Sequence, residues 1–212
     1  MGNDVTKTIV LLDGNSLMFR AYYATAYTGN LMQTKDGIYT NALYGFINML
    51  SKIIDTFDCT YMLIAFDKGK KTFRHQALDS YKGTRKHMPE ELAMQIPLIK
   101  EYLDLCNIKR LELDDYEADD IVGSMSKKAV ELGFKAICIS GDKDLLQLVD
   151  NNCDVLLTKK GVSDLDEYTI DNFKEKMGFY STQMVDYKAM IGDSSDNLEG
   201  VRGIGIGRAH VW

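Results

Sequence analysis

Apolar residues in this chain fall into two spacings. Short unbroken runs rich in β-branched residues occur at 8–12, 61–66 and 136–140, with further candidates at 109–113 and 154–157. Runs of that length and composition predict strands buried on both faces. Between them the period changes. Leu43, Phe46, Ile47, Leu50, Ile53 and Ile54 recur at helical spacing within 37–57, as do Ile121, Val122, Met125, Ala129 and Leu132. Similar patterns over 90–105, 168–177 and 182–190 predict further helices, the first kinked at Pro97. Strands alternating with helices predict an α/β fold around a mostly parallel sheet, in which ligands bind beyond the carboxyl ends of the strands.

Three of the apolar runs end in an acid: Asp13, Asp67 and Asp142. A fourth concentration, Tyr116-Glu117-Ala118-Asp119-Asp120, opens the helix that carries Ile121. Each feature has a plain local explanation, since Asp starts turns and helix N-termini favour carboxylates. All four at strand ends and helix starts predict one acidic site instead. Further acids follow at Asp144, Asp193 and Asp196. Unpaired carboxylates brought together would repel and raise one another's pKa, which a hard divalent cation relieves. Mg²⁺ takes oxygen ligands, and two such ions about 4 Å apart suit in-line phosphoryl displacement. None of the three histidines, His75, His87 and His210, adjoins a strand-end acid, which disfavours zinc.

Net charge is −6, weak grounds against a nucleic-acid binder, but its distribution matters more. Between Lys68 and Lys86 stand seven Lys/Arg and one acid, with Phe73 and Tyr81 interleaved. Lysines and arginines there would neutralise phosphates, and the rings could stack on bases. An acidic pocket beside a basic strip fits a metal-dependent enzyme acting on a polyanion. The four cysteines form no CxxC pair, so buried thiols in a reduced, cytosolic protein are expected. No apolar run is long enough to span a membrane. The glycines from Gly200 to Gly207 suit a tight turn whose N–H groups approach phosphate.

In order along the chain, Leu12-Asp13-Gly14-Asn15-Ser16-Leu17 with Arg20, Ala65-Phe66-Asp67, Phe73-Arg74 and Tyr81-Lys82 with Arg85 precede Tyr116-Glu117-Ala118-Asp119-Asp120. Gly141-Asp142-Lys143-Asp144, Gly192-Asp193-Ser194-Ser195-Asp196-Asn197 and the glycine series complete the set. These blocks resemble the 5′-nuclease family, meaning the 5′–3′ exonuclease domain of bacterial DNA polymerase I and stand-alone flap endonucleases. The resemblance implies a PIN-like fold with a core over 1–190, a basic arch or clamp over 68–88, and a metal-ligand loop with a partial helix–hairpin–helix over 191–212. It implies two Mg²⁺ (or Mn²⁺) ions, the first among Asp13, Asp67, Glu117, Asp119 and Asp120, the second among Asp142, Asp144, Asp193 and Asp196. Lys82 and Arg85 would stand nearest the chemistry. Arg20, Arg74 and Tyr81 would steer the DNA, and Gly203, Gly205 and Arg208 would hold the duplex, with K⁺ at the hairpin.

The function so implied is a structure-selective 5′ nuclease of replication and repair, acting on branched or 5′-flapped DNA. It would be a cytoplasmic, nucleoid-associated monomer. The sequence departs from the family after its last hairpin glycine, where Arg208-Ala209-His210 replaces the usual Lys–Thr or Lys–Arg pair, and it reads as a truncated fragment ending at Trp212. That departure keeps open a DNA-junction binding module with lost or weak turnover. A PIN-type ribonuclease is disfavoured by the hairpin glycines and the length of the clamp.

Overall fold

Strand β1 (Thr8–Asp13) is the central strand, and its alternation divides the core in two. Val10 and Leu12 face one layer while Leu11 faces the other, all three fully buried. In this computed structural model, which describes residues 7–27, 29, 31–69, 71–85, 87–159 and 164–204, the chain forms a six-stranded sheet between two helical layers.

The chain leaves β1 into α1 (Gly14–Ala26) and α2 (Asn41–Thr56), then returns through β2 (Tyr61–Ala65). Three short helices follow: α3 (Phe73–Ala77), α4 (Glu90–Ala93) and α5 (Ile96–Leu105). Next come β3 (Lys109–Leu111), α6 (Ala118–Glu131), β4 (Lys135–Ser140) and a 3-10 helix over Lys143–Leu148. Strands β5 (Cys153–Thr158) and β6 (Leu165–Tyr168), helix α7 (Ile170–Met177), a 3-10 turn, α8 (Met184–Ile191) and a hairpin of β7 (Gly192–Asp193) and β8 (Leu198–Glu199) complete the described chain.

Sheet order is β3-β2-β1-β4-β5-β6, with β6 antiparallel and every other pairing parallel. From β1 the chain first builds outward on one side through β2 and β3, then crosses to β4 on the other. The crevice beyond the carboxyl ends of β1 and β4 is therefore the topological switch point. Helices α1, α2 and α5 pack on the Val10/Leu12 face around Phe46, Leu50 and Leu103. Helices α6, α7 and α8 cover the Leu11 face around Ile121, Phe173 and Met184.

The five expected strands all form within two residues of their expected limits. The helix expected over 90–105 is broken rather than kinked. Gln95 turns its side chain inward there, and Pro97 stands in the first turn of the new helix, where its missing N–H costs nothing. Strand β6 was not foreseen; its acidic sequence suits the solvated edge it occupies. Of the four cysteines, Cys138 and Cys153 are buried as expected, while Cys106 is exposed. Gly14 is required by packing: a Cβ there would lie 2.6 Å from the Phe66 ring.

Candidate active site

The carboxyl edge of the sheet is where the separated acids meet. Asp13, Asp67, Glu117, Asp119 and Asp142 line one open cleft of about 710 Å³ together with Arg20, Lys82 and Arg85. Helix α1 contributes Phe19 and Tyr23 to its lining, and Tyr27 follows directly after the helix.

Each acid is held by its own local structure. Asp13 ends β1 and caps α1: its Oδ1 accepts from the Ser16 N–H at 2.9 Å and its Oδ2 from the Ser140 hydroxyl at 2.8 Å. Asp67 accepts the Ala118 N–H at 2.7 Å, an orphan donor of the first turn of α6. Glu117 is the N-cap of that helix and receives Lys82 Nζ at 2.8 Å and the Tyr81 hydroxyl at 3.2 Å. Asp142 opens the 3-10 helix and accepts the Asp144 N–H at 2.9 Å.

Asp119 differs. Its Oδ1 is shielded from solvent and has no hydrogen-bond partner among the described residues. Burial pushes its carboxyl up to about 8; the charges of Asp13, Asp142 and Asp67 add to the shift, and Lys82 opposes it. Burial likewise raises Asp13 to about 6, against the hydrogen bonds from Ser16 and Ser140.

The remaining acids stand apart from the cleft lining. Asp120 takes a two-pronged grip from Arg74 and also accepts the Glu117 N–H at 3.0 Å. Burial alone would raise its carboxyl, but the Arg74 and Glu117 bonds bring it below the usual range. Asp144 and Asp193 share one cation: Lys188 Nζ lies 2.6 Å from each. Burial works against that charge on Lys188, yet the two carboxylates raise its pKa. The same lysine and the Ser195 hydroxyl and N–H outweigh burial at Asp193 and hold it at about 2. Asp196 accepts Arg85 at 2.5 Å and the Tyr81 hydroxyl at 3.1 Å.

The basic stretch is pinned to this acidic floor. Arg85 and Asn197 bind residues 195–196 and the Ser80 carbonyl, and the Lys82 N–H donates to the Asp196 carbonyl at 2.9 Å. Lys82 itself has φ of 54°, a left-handed conformation that costs a non-glycine residue about 1–3 kcal/mol. Strain of that kind persists where surrounding contacts impose it.

Tyr81, expected as a ring for stacking on bases, is only 6 % exposed, and its hydroxyl is spent on Glu117 and Asp196. Phe73 is 44 % exposed, with the Arg74 guanidinium 4.6 Å from its ring centroid and Tyr116 packed beside it. Arg20 lines the cleft but donates to the Lys159 carbonyl, and Arg74 is committed to Asp120. Gly203 is described with φ of 86°, whereas Gly205 and Arg208 lie outside the described residues. His75 accepts the Thr72 N–H and caps α3.

Ser16, Ser140 and Lys188 were not singled out from sequence. Their positions beside Asp13, Asp142 and Asp193 were legible; their bonding across strands was not. No three acids, histidines or cysteines among the described residues are gathered closely enough to hold a metal ion as they stand. Side-chain cations and N–H groups occupy many of their oxygens instead. The donor set is nonetheless all oxygen, and the shielded, unpartnered Asp119 Oδ1 sits among four further cleft carboxylates, which fits a hard divalent cation.

The fold that carries this carboxylate cleft is shared with solved structures. The D15 flap endonuclease of bacteriophage T5, solved as a pseudo-enzyme–product complex with DNA and metal ions, superposes with a TM-score of 0.75 at 22% identity, covering 97% of this chain and 74% of that one. The T5 D15 protein co-crystallised with metal ions gives 0.73 at 23% identity, over 97% and 73%. Residues 8–178 match the family model of the 5′–3′ exonuclease N-terminal resolvase-like domain, and the chain belongs to that family. DNA polymerase I of Bacillus subtilis (strain 168) is 47% identical over 199 residues, 94% of this chain. The chain spans about a fifth of the length of that relative, 22%. Among the described residues no helix is long and apolar enough to cross a membrane.

Proposed function

We propose that this chain is a divalent-metal-dependent, structure-selective 5′ nuclease that hydrolyses DNA phosphodiesters at 5′ flaps or branches. The observation that carries the reading is the convergence of Asp13, Asp67, Glu117, Asp119 and Asp142 in one cleft facing Lys82 and Arg85. Two Mg²⁺ or Mn²⁺ ions held there would supply Lewis acidity toward the phosphoryl oxygens and lower the pKa of water. Asp13, Asp67, Glu117 and Asp119 would serve the first, with Asp120 behind them; Asp142, Asp144, Asp193 and Asp196 would serve the second.

The chain's own groups supply the rest. Lys82 and Arg85 are paired with Glu117 and Asp196. On DNA binding each exchanges a carboxylate for a phosphate oxygen and opposes the charge that builds on the reacting phosphoryl group. That exchange also frees Glu117 and Asp196. Phe73 and the rings of α1 offer faces to unpaired bases, while Arg20 and Arg74 steer the backbone through the arch. The same reading places a duplex-holding turn at Gly203, Gly205 and Arg208, with K⁺ bound there, in a C-terminal piece beginning at residue 191. It makes the chain a monomer acting at the nucleoid.

The test is cleavage of a 5′-end-labelled flap duplex by the 212-residue chain, with Mg²⁺ and with EDTA. Metal-dependent release of short 5′ products is expected. Flap binding without cleavage at any metal concentration would overturn the nuclease reading in favour of a junction-binding module.

A further inference from the structure

Ser140 ends β4 and is 2 % exposed. A buried serine in a strand usually satisfies its hydroxyl on nearby backbone. Here the hydroxyl does two things at once. It donates to Asp13 Oδ2 at 2.8 Å, across to the neighbouring strand, and it accepts the Asp142 N–H at 3.0 Å. Strands β1 and β4 are paired in parallel up to Leu12 and Ile139, so the two carboxyl ends leave the sheet side by side.

A second serine closes the circuit. The Ser16 N–H donates to Asp13 Oδ1 at 2.9 Å, and the Ser16 hydroxyl accepts the Gly141 N–H at 2.7 Å. The bonded path runs from Asp13 through Ser16 to Gly141, along the turn to Ser140, and back to Asp13. Only glycine allows that approach, since a Cβ on Gly141 would stand 2.7 Å from Ser16 Oγ. Each oxygen of Asp13 thus accepts one bond in a fixed direction and keeps a second lone pair for a cation.

We infer that Ser140 is a positioning residue for the divalent-metal site, fixing the Asp13 carboxylate and the turn that carries Asp142 in a single frame. The inference rests on the metal-dependent reading above. Partners that orient a ligating carboxylate are part of a metal site's affinity, and removing one costs about 10- to 100-fold. Without the hydroxyl, Asp13 retains only the Ser16 bond and the Asp142 N–H loses its acceptor. The frame then has to be rebuilt each time a cation binds.

The experiment is calorimetric titration of Ca²⁺ onto the full chain without DNA, alongside duplex affinity measured in EDTA. Ser140→Ala should weaken Ca²⁺ binding about 10- to 100-fold and leave duplex affinity in EDTA unchanged. Ser140→Cys keeps nearly the same volume but offers only a weak donor, and should lose Ca²⁺ affinity as well. Should the alanine variant fail to fold, the cysteine variant decides. Wild-type Ca²⁺ affinity in either folded variant overturns the role of Ser140, as does an equal loss of metal and duplex binding, which marks general damage. Failure of the unaltered chain to bind Ca²⁺ would sink the metal reading itself, and this inference with it.

Discussion

Arg74 holds Asp120 through two parallel N–H···O bonds of 2.7 Å each, joining the basic stretch to the first turn of α6. The fork raises the pKa of Arg74 further and leaves Asp120 ionised. Its value to the fold is bounded by exposure, since the two side chains are 32% and 21% accessible. Arg74→Ala should therefore cost about 1–2 kcal/mol, below the loss for a fully buried pair. Urea unfolding checks this, and an unchanged midpoint would remove the fork from the stability of the fold.

Lys82 is expected to act on turnover. Lys82→Ala should lower the single-turnover cleavage rate about 100-fold or more, the usual loss for a charge aimed at the reacting group, with a smaller change in flap affinity. Lys82→Gly relieves the positive φ while removing the same charge. Equal losses in both variants assign the effect to the ammonium. Recovery in the glycine variant would assign it to the backbone.

Asp119 and Asp13 predict an unusual pH dependence of stability without metal. Burial holds their folded pKa values at about 8 and about 6, above the unfolded value of 3.8. The folded chain therefore binds more protons than the unfolded chain between those limits, and stability falls as pH rises through them. In EDTA the melting temperature should drop as pH rises from the unfolded value of 3.8 through about 6 to about 8. Asp119→Asn should flatten the upper part of that slope and also abolish Mg²⁺-dependent cleavage. A melting temperature that climbs with pH in EDTA would contradict the buried, unpartnered state of Asp119.

Gln95 predicts a stability effect remote from the chemistry. Its Oε1 accepts the N–H groups of Ala42 and Leu43 at the start of α2, and its Nε2 donates to Asn41 and to the Glu91 carbonyl. The residue is fully buried. Gln95→Leu keeps the volume and strands these partners, a loss of about 3 kcal/mol. Metal affinity of the remaining folded protein should be unchanged. Differential scanning calorimetry and Ca²⁺ titration separate the two.

Sequence alone determined the α/β class, the parallel strands and the acids at their ends. Unbroken apolar runs and the 3.6 period depend on how much of an element is buried, and that is written locally. The block from Tyr116 to Asp120 was legible as a helix start for the same reason. What the tertiary structure decided is which charges meet. Lys188 lies 44 residues from Asp144 in sequence, yet its ammonium sits on that carboxylate. Tyr81 looked like an exposed ring because its neighbours are lysines and arginines, but the fold turns it inward onto Glu117 and Asp196. Ser140 reads as the last residue of a strand, and only the pairing of β1 with β4 places its hydroxyl on Asp13. Hydrogen bonds and ion pairs act over about 3 Å, so their partners are fixed by the crossing of the chain from β3 to β4, which no local pattern encodes.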